Sequence, residues 1–348
     1  VKGMSISVYK ILSTDSEEWN NYLLRFPIIQ QDIYFTREYY ELYEKNGDGK
    51  GILYVYENNE KVAIYPFLLK EIEGYGLGEK YYDIETAYGY GGPLTNSYDV
   101  KFIRGFEKSF LTYCKESKIV AEFIRFHPLI SNQQIFKNKL KVLHNRDSVY
   151  IDLSKGIDKV WQYDFKSQNR NRIRKAKKMG LVFEKSDDYE TFKDIYTKTM
   201  DKVKADDYYY FNNDYYNAMS YNNKFTLFNV KYEDTIIAST IFMSYGKFFH
   251  YHLCGSLKEY LKFAPVNLLI WEISKIACEN GASYFHLGGG VGDNSDDSLF
   301  KFKTTFSKEI SRFYIGERIH NSEIYDYLIG EWERKNNKKA KLVLQYRY

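Results

Sequence analysis

Apolar and polar positions recur in the same order at two places in the chain. Phe35-Thr-Arg-Glu-Tyr-Tyr40 is matched by Phe211-Asn-Asn-Asp-Tyr-Tyr216. Further along, Ile52–Phe67 is matched by Thr226–Phe242. Each of these stretches predicts a hairpin: a strand, a polar turn (Glu57–Glu60; Glu233–Asp234) and a second β-rich strand. Helical spacing follows at Phe106–Lys118 and at Leu268–Gly281, each with a cysteine near its end, Cys114 and Cys278. Each helix runs into a strand, Ala121–Phe126 and Ser283–Leu287. The order helix, hairpin, strand, helix, strand therefore occurs twice. It predicts two diverged copies of one unit, at about residues 20–128 and 190–290. Strands and helices interleaved in this way place the chain in the α/β class, with mixed sheets flanked by helices.

Between the copies, Val149–Leu153 reads as a strand and Ser154–Asp158 as a turn. A helix is predicted from about Ile157 to Met179, stopped by Gly180, with Trp161, Phe165, Ile173 and Ala176 on its apolar face. Residues 321–340 predict one more helix. The expected division is an N-terminal domain over 1–148, a C-terminal domain carrying the chemistry over 149–320, and a helix and tail over 321–348.

Composition adds bounds. A chain of 348 residues with 44% hydrophobic and 28% charged residues can fill two ordinary cores. The net charge of +4 is too small to argue for nucleic acid by itself. The 36 tyrosines accompany abundant Lys, Asn and Ile, so they read as compositional bias rather than as a binding surface. The three cysteines, Cys114, Cys254 and Cys278, form no Cys-x-x-Cys pair. That argues against a disulfide scaffold or a zinc site, and a reducing cytoplasm is the expected compartment. No metal is expected. No apolar leader is visible, and Val1–Gly3 ahead of Met4 reads as an addition to a natural start. No stretch reaches the roughly 18 apolar residues of a membrane helix, so any membrane contact is expected to be peripheral.

Three stretches can carry chemistry. In the first, Lys166, Arg170, Arg172, Arg174, Lys175, Lys177 and Lys178 crowd one predicted helix, with Arg170, Arg174, Lys177 and Lys178 on one face. Such a strip suits phosphate or an RNA backbone, because guanidinium groups bind phosphate oxygens in pairs. It equally suits a solvated helix face with cations near its C-terminus. The second runs from His286-Leu-Gly-Gly-Gly-Val-Gly292 to Lys303. Its glycines let backbone approach a ligand. It matches neither a dinucleotide fingerprint nor a Walker loop. Asp293, Asp296 and Asp297 lack the spacing of an EF-hand. Strand alternation over Leu299–Lys303 would point Lys301 and Lys303 the same way. The third is Phe248–Ser256, a strand with Tyr251 and Leu253 on one face and His250 and His252 on the other. His252 suits a general base near neutrality, but a satisfied core or edge histidine is the commoner case.

These residues together resemble the Fem-type (FemABX) peptidyltransferases, which build peptidoglycan cross-bridges on two tandem GNAT-like, acyl-CoA N-acyltransferase-like domains. Arg170-Asn-Arg-Ile-Arg-Lys-Ala-Lys-Lys-Met-Gly180 resembles the family's arginine-rich helix. Tyr251-His-Leu-Cys-Gly-Ser256 is similar to its Tyr-x-Leu-x-Gly-x-Ser strand end, and His286-Leu-Gly-Gly289 to the strand entering its last loop. Asp297-Ser-Leu-Phe-Lys-Phe-Lys303-Thr-Thr-Phe306, with Phe313-Tyr-Ile-Gly316, resembles its close and is the most specific segment. In copy one, Gly91-Gly-Pro93 stands where the family has Arg-Gly-Pro.

The resemblance implies transfer of an aminoacyl or acyl group to an amine. Lys303 would meet phosphates or developing charge, with Lys301 beside it. Tyr251, Gly288 and Gly289 would contact substrate, and Arg170 and Arg174 a nucleotide or RNA. The departing proton would go to Asp297, His252 or water. No tightly bound cofactor is implied. The co-substrate would be aminoacyl-tRNA or acyl-CoA, the acceptor a nucleotide- or lipid-linked envelope precursor, and tRNA a partner in the first case. The helical-hairpin insertion that some members use for tRNA is absent. Tyr260–Asn267, where an acyl-CoA enzyme has a glycine-rich loop, holds no glycine. Two other readings stand beside this one: an acyl-CoA-dependent N-acyltransferase acting on an amino-sugar of a surface polysaccharide, and a non-catalytic relative that kept the fold. The sequence carries no signal of oligomeric state. It assigns the chemistry to copy two, with copy one as a wall of the acceptor groove.

Overall fold

The computed structural model describes residues 8–136, 140–291 and 297–348; the expected start at Met4 lies outside them. The chain divides into two compact units, residues 1–145 with 313–348, and residues 146–312.

The first unit opens with β1 (Val8–Ser13), α1 (Glu18–Leu23) and α2 (Arg37–Asn46). The hairpin β2 (Lys50–Asn58) and β3 (Lys61–Glu71) follows, then β4 (Tyr82–Glu85), β5 (Leu94–Thr95), α3 (Val100–Glu116) and β6 (Ile119–Arg125). Its sheet runs β1-β2-β3-β4-β6, with β5 also on β3. The helix α3 starts earlier than its apolar spacing predicts, because the Asp99 carboxylate caps it by accepting the Phe102 N–H at 2.9 Å. Tyrosine fills much of this core: Tyr39, Tyr40, Tyr54 and Tyr65 are fully buried. Each finds a partner for its hydroxyl. Tyr40 donates to the Pro66 carbonyl at 2.9 Å, Tyr54 to Ser109 at 2.6 Å and Tyr39 to the Tyr88 carbonyl at 2.6 Å. Tyrosine serves there as a large apolar residue whose polar end is satisfied locally.

The second unit takes up most of β7 (Lys141–Asp152), which is longer than the strand predicted at 149–153. Next come α4 (Ile157–Lys159), α5 (Ser167–Lys178), β8 (Val182–Ser186), α6 (Tyr189–Val203) and α7 (Asn213–Ser220). Then follow β9 (Phe225–Tyr232), β10 (Thr235–Tyr245), β11 (Phe248–Ser256), α8 (Pro265–Glu279), β12 (Tyr284–Gly289) and α9 (Ser298–Lys303). The sheet order is β7-β12-β11-β10-β9-β8. The core packs α8 through Leu268, Leu269, Ile270 and Ile273 with Phe242, Phe285 and Leu287 of the sheet.

The predicted duplication is present. α2-β2-β3-β4-α3-β6 and α7-β9-β10-β11-α8-β12 follow one order. The two hairpins even share a turn. Each has a two-residue loop whose first residue, Asn59 or Glu233, sits in the left-handed region at φ 57 or 53.

Three expectations are corrected. The helix predicted over 157–179 is broken: Phe165 has extended backbone (φ −67, ψ 121), which separates a π-helical turn, Val160–Asp164, from α5. The segment Leu299–Lys303 is helical rather than extended. The expected boundary at 320/321 also moves. The strand β13 (Ile310–Ile319) pairs Ile315–Ile319 antiparallel with Arg125–Ala121, so residues 313–320 join the first unit. The last helix, α10 (Ser322–Asn336), then adds Leu328 and Trp332 to a small core there with Val120 and Ala121.

Gly255 shows how closely β11 is packed. A Cβ there would fall 2.8 Å from the backbone of Ile195 and of Tyr196 in α6. Backbone cannot yield as a flexible side chain can. Gly255→Ala is expected to cost about 1–3 kcal/mol or more in denaturant unfolding, and an unchanged midpoint would contradict this packing.

Candidate active site

The parallel strands β11 and β12 pair over only three positions, ending at His250↔His286, although both run on. Each carries an extra residue just beyond that point. In β11, Leu253 and Tyr251 face Ile241 and Phe242 of β10, leaving His252 as a bulge. In β12, His286 and Gly288 face Tyr150 and Val149 of β7, leaving Leu287 as a bulge. A bulge bends its strand and ends pairing locally, so the two strands part here. The β11 bulge also shifts the alternation by one. Burial falls on Phe248 and His250, then on Leu253 and Gly255. Tyr251 thus shares a face with Cys254, not with Leu253 as strict alternation predicts.

The corresponding strands of the first unit stay together. After a register shift past Tyr82, pairing resumes at Ile84↔Glu122 and Glu85↔Phe123. The Thr86 N–H then donates to the Phe123 carbonyl at 3.2 Å, and the Arg125 N–H to Thr86 Oγ1 at 3.0 Å. Gly91 bridges Phe126, and the Asn132 amide donates to the carbonyls of Gly91 and Pro93 at 2.7 and 2.9 Å.

Lys303 reaches the point where β11 and β12 part. It ends α9 and is buried, with 7% of its surface exposed. Its Nζ donates to the Gly289 carbonyl at 2.7 Å and lies 5.8 Å from the centre of the Tyr251 ring. Gly288 has φ +78, a backbone that residues with a Cβ rarely adopt, and a Cβ there would meet Nζ at 3.4 Å, an ordinary contact. Burial is the largest influence on its pKa and pushes it down to about 8. Asp297 and Cys254 pull it back up, while Arg146 lowers it further. Burial also drives the Tyr251 hydroxyl well above its ordinary value, as does the neighbouring Cys254.

Residues 164–302 match the acetyltransferase (GNAT) domain family. A stretch of 107 residues is 29% identical to a UDP-N-acetylmuramoylpentapeptide-lysine N(6)-alanyltransferase of Weissella viridescens. That stretch covers 30% of this chain and 32% of the relative, about a third of its length. Among solved structures, FemX superposes with a TM-score of 0.67 at 16% identity, covering 92% of this chain and 99% of FemX. A tandem GNAT protein from the clavulanic acid biosynthesis pathway gives 0.51 at 7% identity, covering 90% of this chain and 98% of that one. The chain shares its fold with FemX, and its residues 164–302 match the GNAT domain. The expected α/β fold with tandem GNAT-like units agrees with these likenesses.

The other predicted residues are placed less uniformly. Asp297 is near Lys303, but its two carboxylate oxygens accept the N–H of Phe300 at 2.8 Å and of Val291 at 2.9 Å. It caps α9 and ties the glycine segment to it, and each oxygen keeps a second lone pair. Asp293 and Asp296 lie outside the described residues. His252 does not suit a base. Its Nε2 is 2.9 Å from the Tyr215 hydroxyl, and burial, then His250, push the ring down to about 3. Lys301 is exposed on α9, two residues from Lys303 but not beside it, because a helix turns about 100° per residue.

The basic helix α5 is partly committed. Arg170 Nη1 donates to the carbonyls of Trp161 and Gln162 at 3.2 Å each, and also to that of Phe165, closing the end of the broken turn. Arg174 lies 5.5 Å from the Trp161 ring centre and donates to Asn171 at 3.0 Å, while Lys177 pairs with Glu272 at 2.7 Å. Buried Asn169 joins α5 to Asn267 of α8 and to Thr305, just past α9. Sequence reading missed Asn169, Cys254 and Arg146. The Asp297-Ser-Leu-Phe capping pattern could have shown that α9 is a helix.

The ionisation of Lys303 is directly checkable. Competitive acetylation across pH, read by mass spectrometry, is expected to give it a midpoint near 8; a midpoint near the ordinary 10.5 would contradict its burial. Because the folded value lies below the unfolded one, the unfolded chain holds the proton over the interval between them. This group therefore makes the fold more stable as pH rises from about 8 to about 10.5. That increment is expected to vanish in Lys303→Met, measured by denaturant unfolding at several pH values.

Proposed function

We propose that this chain is a Fem-type N-acyltransferase. It moves an aminoacyl or acyl group from an activated donor to an amine of a cell-envelope precursor. The observation that carries the reading is the buried Lys303 ammonium, held by a capped helix where two bulged parallel strands part. Backbone groups freed from strand pairing and a desolvated cation together suit a carbonyl that becomes an oxyanion.

The step forms a carbon–nitrogen bond between the amine and the donor carbonyl. It breaks the carbon–oxygen bond of an ester or the carbon–sulfur bond of a thioester. The attacking amine loses one proton and the leaving group gains one. With its pKa near 8, Lys303 is largely protonated at neutral pH and can stabilise the oxyanion or protonate the leaving group. With His252 a weak base, the amine proton passes to Asp297, to water or to the departing group. Positioning then supplies much of the rate.

Aminoacyl-tRNA is the favoured donor. The stretch that would cradle a coenzyme A pyrophosphate is a short 3₁₀ turn, Lys258–Phe263. It leads through left-handed Ala264 into Pro265, which has no N–H to offer an anion. The acceptor is read from the alanyltransferase relative as a nucleotide-linked peptide bearing a lysine amine. A thermal-shift screen of aminoacylated tRNA, acyl-CoAs, nucleotide-linked muropeptides and nucleotide-linked amino-sugars separates donors and acceptors, since a ligand that binds the native state stabilises it. Stabilisation by an acyl-CoA and an amino-sugar would favour a polysaccharide-modifying enzyme instead. With the donor in hand, Lys303→Ala is expected to lower transfer by roughly 10²–10³-fold, and Lys301→Ala to change it little. Transfer that survives Lys303→Ala at the wild-type rate would refute the site.

A further inference from the structure

The glycine segment that presents a carbonyl to Lys303 is fastened from two sides. The Asp297 carboxylate accepts the Val291 N–H at 2.9 Å. Opposite in polarity, Arg146 Nη1 donates to the carbonyls of Gly290 and Val291 at 3.0 and 2.9 Å. Arg146 stands on β7 two residues before Ser148, which pairs with Gly289 in the ladder. Its aliphatic stem runs along Gly289, where a Cβ would come within 3.0 Å of Arg146 Cδ. The Gly289 carbonyl is the group that accepts the Lys303 ammonium.

We propose that Arg146 is a positioning residue of this site: by fastening Gly290 and Val291 it fixes the Gly289 carbonyl and so holds Lys303 beside Tyr251. The inference rests on Lys303 being the reacting cation of the proposed transfer. Three consecutive glycines, Gly288–Gly290, have wide backbone freedom when nothing holds them. A lysine at the end of a four-carbon stem is as well placed as its hydrogen-bond acceptor. Misplacement by about 1 Å can cost about 10²-fold in rate. Both bonds come from one nitrogen, Nη1, which a planar guanidinium holds in place more rigidly than a flexible lysine stem holds an ammonium. The charged and titratable groups that face Lys303 are Asp297 at the start of α9, Cys254 and Tyr251 on β11, and Arg146 on β7. Arg146 is thus both a brace for the segment and the like charge nearest in effect to the ammonium.

The experiment compares Arg146→Gln and Arg146→Lys with the wild-type chain by two readouts that need no substrate. One is the acetylation midpoint of Lys303, with acetic anhydride as the probe. The other is hydrogen exchange over residues 286–291 by mass spectrometry. In Arg146→Gln the midpoint is expected to rise, because a like charge has gone, and exchange is expected to quicken severalfold. In Arg146→Lys the charge remains, so the midpoint holds while exchange still quickens. Either readout staying at its wild-type value in Arg146→Gln overturns the proposal. If Arg146→Gln does not fold, wild-type exchange in Arg146→Lys overturns it. Once a donor is known, both variants are expected to lower kcat by about 10²-fold with KM little changed. Full transfer by Lys303→Ala would instead remove the functional reading and leave the labelling and exchange results to decide the role of Arg146.

Discussion

Two neighbouring parallel strands, β11 and β12, pair at Phe248↔Tyr284, Phe249↔Phe285 and His250↔His286, and then part because each inserts one extra residue. The rest of the candidate site follows from that constraint. The bulge at His252 turns Tyr251 and Cys254 to one face. The bulge at Leu287 leads into Gly288 with positive φ and into the Gly289 carbonyl that receives Lys303. The helix α9 completes the arrangement, and Asp297 both starts that helix and anchors the glycine segment to it. An ammonium taken out of water is costly, and its lowered pKa records that cost. Strongly shifted groups cluster at functional sites, so the burial of Lys303 supports the proposed role more than the abundance of lysine around it does.

The two copies have diverged at the same structural point. In the first unit, Thr86, Arg125 and Asn132 supply hydrogen bonds that keep β4, β6 and the Gly91–Pro93 turn joined. Its polar groups are spent on structure as well: Arg347 pairs with Asp83 and Glu85, and Arg125 with Glu85 at 2.9 Å. Duplication gave two copies of one scaffold; among the described residues the parallel pair of the second parts, while that of the first stays joined. That asymmetry is what the proposed placement of the chemistry in the second copy rests on.

Much of the fold was legible because the repeat lies in the periodicity itself. Phe35–Tyr40 against Phe211–Tyr216, and the two hairpins after them, mark elements that local pattern determines. The breaks were not legible. Nothing in apolar spacing announces that Phe165 leaves the helix, since Trp161 and Phe165 continue the stripe. Nor does alternation reveal the bulge at His252, because a bulge depends on what the neighbouring strand does. Among site residues, Lys303, Tyr251, Gly288 and Gly289 come together. Arg170 instead closes a helix end, and Asp297 serves as a cap. These outcomes turn on which carbonyls and N–H groups lack partners, and only the folded backbone decides that. Arg146 escaped notice for the same reason, standing alone in a polar strand with no motif around it.

The central claim is that the acyl group is handled where β11 and β12 part, beside Lys303. The most direct measurement is a crystal structure of the chain with a non-hydrolysable analogue of whichever donor stabilises it. Density for the acyl carbonyl is expected within hydrogen-bonding distance of Lys303 Nζ or of the backbone of β11 or β12. Density at the joined strands of the first unit, near Thr86 and Arg125, with none beside Lys303, would contradict it.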